Sequence, residues 1–243
     1  QSYARARLRP VLDRLGWEGS GSADDDDSLL RATLIRVLGA FGDAEVVAEA
    51  KRRFASFLQD PESAPSDLRD AIAHVVGLSA DRATYQVLLT LARKATATSE
   101  RLRYYFAAAA ARDASLARDT LAMTLTDELP ITMVAGIINQ VALFGEQRDL
   151  AWEFVQKNFD VLLAKQGPSF GDQFVPNFLT NFSDEAHAAE LRRFAPAQQT
   201  SGGRLMTARA METIAISAGF KERAMPLIEI WIRRGEGRND RPD

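Results

Sequence analysis

The chain has 243 residues, 46% of them hydrophobic and 26% charged, with a formal net charge of -3 and no cysteine. That length allows one large domain or two small ones, and the composition is that of a folded globular protein rather than a disordered one. Without cysteine there is no thiol catalysis, disulfide or thiolate zinc site, and a slightly acidic balance argues against a surface that tracks phosphates.

The chain opens at Gln1 with an arginine-rich stretch and no apolar core of a signal peptide. A start without Met suggests a piece of a longer or processed polypeptide. The compartment stays open on these grounds, with cytoplasm favoured over periplasm. The basic clusters Arg5, Arg7, Arg9 and Lys51, Arg52, Arg53 are expected to be solvated faces. Glu18 to Asp27 is rich in Gly, Ser and Asp and reads as a surface loop. Its consecutive aspartates lack calcium-loop spacing.

Apolar residues then recur at helical spacing almost everywhere. Leu29, Leu30, Thr33, Leu34, Val37, Leu38 and Phe41 form one stripe of threes and fours, in a helix from Ser28 to Phe41. The expected helices that follow span 44–58, 66–78 and 81–95, the last capped by Asp81. Further helices run from Ser99 through the alanines 107–111, from Ala114 to Asp127, from Pro130 to Phe144, and from Asp149 to Lys165. The last four are placed near 171–182, 184–194, 203–218 and 222–234, and a polar tail over 235–243 is expected to fray. No period-two alternation of strand length occurs, so the chain is all-α. No apolar run reaches the ~20 residues that cross a bilayer, so no membrane partner is expected.

The helices pair, with first members starting near residues 29, 67, 100, 131, 171 and 204. Leu30-Arg31, Leu68-Arg69 and Leu102-Arg103 echo one another in successive pairs. Such a helix–turn–helix period predicts an α-solenoid of antiparallel helix pairs, a HEAT- or armadillo-like superhelix in one domain over 1–243.

Catalytic patterns are missing. His74 and His187 are the two histidines, and neither has a histidine four residues away on its helix to share a zinc ion. Both are read as structural. There is no nucleophile elbow and no phosphate-binding loop, so no catalytic residue, metal ligand, cofactor or nucleic-acid partner is assigned to this chain.

The residues that invite a functional reading are polar ones inside apolar helices. Gln173, Asn177 and Asn181 recur every four residues, Asn139 and Gln140 interrupt the helix from Ile131 to Phe144, and Arg209 and Glu212 lie three apart. Such groups must be paired or line a wet groove. One reading is hydrogen bonding between helices. The other is a concave surface of first-member helices that meets peptide.

Several collinear stretches carry a resemblance over about residues 8–234: Arg14-Leu15-Gly16-Trp17; Leu29-Leu30-Arg31; Glu49-Ala50-Lys51-Arg52-Arg53-Phe54; Ser66-Asp67-Leu68-Arg69; Leu150-Ala151-Trp152-Glu153-Phe154-Val155; and Met211-Glu212-Thr213-Ile214. In this order they resemble the C-terminal helical domain of the aminopeptidase N and puromycin-sensitive aminopeptidase family of zinc metallopeptidases. The resemblance implies a non-catalytic solenoid that caps the active-site chamber and gates or positions peptide substrates. Its partners would be the catalytic and N-terminal domains of the same polypeptide, where the zinc and its H-E-x-x-H motif reside. The first helices of the family domain look absent. The matched Trp17, Arg31, Arg69 and Trp152 are expected to pack the repeats. The alternative is a free-standing helical-repeat scaffold that binds a protein or peptide.

Overall fold

A computed structural model describes residues 1–18, 25–194 and 200–239. Among them every regular element is helical. The chain divides into two compact units, Gln1–Trp152 and Glu153–Asp243.

The first unit opens with α1, Ser2–Leu15, which the sequence reading left unassigned. Its arginines and Pro10 hide a short apolar stripe. Arg7 is exposed as expected, whereas Arg5 Nη1 donates to the Phe41 carbonyl at 2.6 Å and Arg9 Nη1 to Asp43 at 3.0 Å. α2, Asp25–Ala40, begins inside the expected loop, of which residues 19–24 lie outside the described residues. Its buried face is Arg31, Leu34, Ile35 and Leu38, a three–four–seven helical set, whereas Leu29 is 70% exposed. The expected stripe therefore held the right period but started on the wrong side. Then follow α3, Ala44–Gln59; α4, Arg69–Leu78; α5, Arg82–Lys94; α6, Thr98–Ala109; α7, Ala114–Met123; and α8, Ile131–Leu143.

Caps set these boundaries. Asp43 accepts from the Val46 amide at 3.1 Å, Asp81 from Thr84 at 2.8 Å, and Asp113 from Leu116 at 3.0 Å, each satisfying a first-turn donor. α4 starts later than expected because residues 66–68 form a turn.

In this unit α2 packs on α4, α4 on α6 and α6 on α8, while α3, α5 and α7 flank this row. Small residues allow the close crossings. A Cβ on Gly77 would stand 2.0 Å from the Ala107 carbonyl oxygen, and one on Gly39 would stand 2.4 Å from Val75 Cγ2. Ala107 to Ala111 are all buried.

Polar ties recur at a nearly constant sequence separation. Arg9 reaches Asp43 across 34 residues, Arg53 reaches Glu18 across 35, and Arg103 reaches Asp70 across 33. The hydroxyls of Tyr85 and Thr120 share a buried hydrogen bond across 35 residues, and Arg93 holds Glu128 across 35. Arg53, expected to be solvated, is buried against the Trp17 ring with its guanidinium 5.0 Å from the centroid. Arg31 is buried too and donates to the Gly16 carbonyl at 3.0 Å, while Arg69 donates to Ala64 and Pro61. The Leu-Arg echoes at 30–31 and 68–69 thus mark arginines that close the loop preceding their own helix.

The single expected helix over 149–165 is two, α9, Arg148–Lys157, and α10, Phe159–Gln166, separated at Asn158, whose side chain donates to the Phe154 carbonyl. In the second unit a π-turn, Phe170–Phe174, leads into the short α11, Val175–Leu179, then α12, Glu185–Phe194. Phe170, Phe174, Phe178 and Phe182 stack in succession at 4.7, 5.5 and 6.3 Å, and His187 closes the row on Phe182 at 3.6 Å. The last helix, α13, runs unbroken from Ser201 to Asn239. This replaces the two expected helices and most of the expected frayed tail. Gly219 does not break it, and Thr200 caps it by accepting from the Gly203 amide.

Candidate functional site

The first members of the pairs in the first unit, α2, α4, α6 and α8, share an open groove of about 480 Å³. Because α2 packs on α4, α4 on α6 and α6 on α8, side chains far apart in sequence meet. The floor is apolar, formed by Val37, Leu102, Phe106 and Phe144. The rim carries Arg36, Ser99 and Gln140, together with the Asp70–Arg103 ion pair.

His74 of α4 lies between floor and rim, edge-on to Phe144 at 4.9 Å. Burial, followed by the positive charges of Arg36 and Arg112, pulls its pKa down to about 4. The imidazole is therefore neutral at physiological pH, able to donate from one nitrogen and accept at the other. With Asp70 neutralising Arg103, Arg36 supplies the unbalanced charge of the rim.

The back of the groove is tied by Arg112. Its Nη2 donates to the Ala40 carbonyl at 2.7 Å and pairs with Glu146 at 2.7 Å, and its carbonyl accepts from Gln147 at 2.9 Å. Glu146 takes a left-handed φ of 56°, uncommon for a residue with a side chain.

The arrangement sets hydrogen-bond donors and acceptors beside an apolar trough. It offers no nucleophile held by a base. Nor does it fit zinc. Among the described residues no group of three or more His, Cys, Asp and Glu could hold a metal ion.

Of the sequence-derived candidates, Gln140 lines the groove, and Asn139, half-buried, is its neighbour on α8. The others belong to the second unit. Gln173 and Asn177 are exposed and Asn181 is half-buried, because the phenylalanine row one position further on takes the core. Arg209 and Glu212 lie exposed on α13. Trp152 is 3% exposed and Trp17 is half-buried under Arg53. Sequence reasoning missed Arg36, Asp70 and Arg103. The one available signal was their common place on first-member helices. No described helix is long and apolar enough to cross a membrane.

Comparison with known proteins agrees with this architecture. Residues 1–216 match the ERAP1-like C-terminal domain. The chain is 27% identical over 222 residues to aminopeptidase M1 of Arabidopsis thaliana, covering 86% of the chain and 24% of that protein. It is 24% identical over 221 residues to mouse glutamyl aminopeptidase, covering 88% and 23%, and 21% identical over 236 residues to human endoplasmic reticulum aminopeptidase 2, covering 95% and 24%. The chain thus spans about a quarter of the length of these relatives. With the family matched over most of its length and every described element helical, the chain belongs to the ERAP1-like C-terminal domain family.

Proposed function

We propose that this chain is the non-catalytic C-terminal part of a zinc aminopeptidase, and that it positions peptide substrates for an active site carried by other domains of the same polypeptide. Its helix pairs would stack as a solenoid, a reading supported by the row α2–α4–α6–α8 and by polar ties repeating every 33–37 residues. Zinc and the catalytic residues would belong to those other domains.

The observation that carries the proposal is the groove on the first-member helices, with neutral His74 and Gln140 over the trough of Phe106 and Phe144. Its contribution is binding and exclusion, not chemistry. Holding the distal part of a peptide lowers the entropic cost of presenting its N-terminus, and the surrounding helices limit access to unfolded chains.

The test is a steady-state comparison in the aminopeptidase that contains this chain. Phe144→Ser combined with Gln140→Ala should raise KM for long peptides about tenfold, roughly 1.4 kcal/mol of lost binding. KM and kcat for a one-residue chromogenic substrate should not move. Equal effects on both substrates, or none on either, would remove the groove from substrate handling.

A further inference from the structure

Each helix of the groove contributes a large polar side chain to its lining: Arg36 on α2, Asp70 on α4, Arg103 on α6 and Gln140 on α8. Asp70 accepts from Arg103, so those two charges cancel, and Gln140 has none. Arg36 is exposed and, among the described residues, makes no hydrogen bond or ion pair. It stands beside Val37 at the edge of the apolar floor, where an ionic contact is screened less than in open water. Its field reaches across the groove. After burial, Arg36 contributes most to pulling the His74 pKa down to about 4, ahead of Arg112, and Arg112 is itself paired with Glu146. The groove therefore carries a positive charge that no group of the chain balances.

We infer that Arg36 is the specificity-determining residue of this groove, and that it selects peptides carrying an acidic side chain, Asp or Glu, at an internal position. The inference rests on the role proposed above for the groove in holding peptides. A guanidinium presents paired donors that match the two oxygens of a carboxylate. A basic peptide side chain would meet Arg36 as a like charge and find Asp70 already taken by Arg103, so selection works by repulsion as well as attraction. The lining also continues on either side of the polar residues. Ser99 lies one turn before Arg103, and Phe144 one turn after Gln140. A peptide lying along the groove thus passes Arg36 rather than ending there, which favours a side-chain carboxylate over a terminal one.

The experiment measures binding of blocked peptides to the full chain. The probes are built of leucine and serine, acetylated and amidated at the ends, with one central residue varied. Glu at the centre should give a Kd about fivefold lower than Gln, the size of one partly exposed ion pair, and the difference should shrink in high salt. The chain has two histidines, so an NMR titration resolves His74, with His187, which does not line the groove, as the reference. The Glu peptide should raise the His74 pKa, because a nearby anion favours the imidazolium, and the Gln peptide should not. Arg36→Gln should equalise the two peptides with an unchanged melting temperature, because the position is exposed. Arg36→Glu should shift the preference to Lys at the centre. Equal Kd for the Glu and Gln peptides overturns this inference and leaves the groove as a peptide site, whereas binding of neither removes the groove reading and this inference with it. A Gln peptide with a free C-terminal carboxylate that binds as tightly as the blocked Glu peptide, and loses that gain in Arg36→Gln, also overturns it, by giving Arg36 to a chain terminus.

Discussion

Replacing Gly77 with Ala separates local propensity from tertiary packing. Gly77 sits inside α4, where propensity alone favours Ala by about 1 kcal/mol. The structure reverses the sign. The added Cβ would stand 2.0 Å from the Ala107 carbonyl oxygen, 2.7 Å from its carbon and 3.0 Å from its Cα. Ordinary C···O approaches are about 3.3 Å or more, so α4 and α6 must part by roughly 1 Å. The obstacle is backbone, which cannot swing aside as a side-chain tip can. Nor can α4 retreat freely, because Val75 already fills the space above Gly39 on α2. Overpacking of this kind costs about 1–3 kcal/mol and sometimes more. After the propensity gain a net loss of about 1 kcal/mol is expected, a fall of about 2–4 °C in Tm at this chain length. Gly202→Ala is the control. It lies in the first turn of α13, with only Thr200 Oγ1 nearby at 3.6 Å, and should be neutral or slightly stabilising. Thermal melts by circular dichroism measure both. A Gly77→Ala protein as stable as the parent, or more so, would refute the close α4–α6 crossing and with it the register that builds the groove.

Three further outcomes follow from burial and charge. His74 is pulled from the ordinary histidine value to about 4 in the fold, so the unfolded chain takes up a proton at higher pH than the native one. Stability should therefore be complete above about pH 6.5 and fall by up to about 3 kcal/mol between pH 6.5 and 4. Urea midpoints against pH should show this slope shrink in His74→Phe. Trp152→Ala should cost about 3–5 kcal/mol because the indole is 3% exposed, and a chemical melt showing under about 1 kcal/mol would contradict its packing role. Phe178, fully buried between Phe174 and Phe182, should cost a similar about 3–5 kcal/mol on replacement by Ala. Hydrogen exchange should show the loss concentrated in residues 153–239 rather than in the first unit.

The helical class and most boundaries were legible in the sequence because they are local. A stripe with period near 3.6, an aspartate at an N-cap such as Asp81, and Pro130 at a helix start act within a turn or two of themselves. α1 was hidden because its arginines are spent on distant partners, Phe41 and Asp43, that a local reading does not see. The same blindness turned buried Arg53 into an expected surface charge and divided α13 at Gly219, where one glycine costs less than ending a long helix. The amide stripe was found correctly as a spacing, but its direction was decided by the phenylalanine row beside it.

The sequence by itself determined that the chain is built of helices, because a helical period and its caps act locally. Only the tertiary structure decided where a ligand could lie, because the groove is made by residues from Arg36 to Phe144 that share no local signal. Periodicity fixes which way a side chain faces on its own helix. What it faces depends on how closely neighbouring helices approach, and here that distance is set by contacts such as Gly77 on Ala107 and Gly39 on Val75 between elements tens of residues apart.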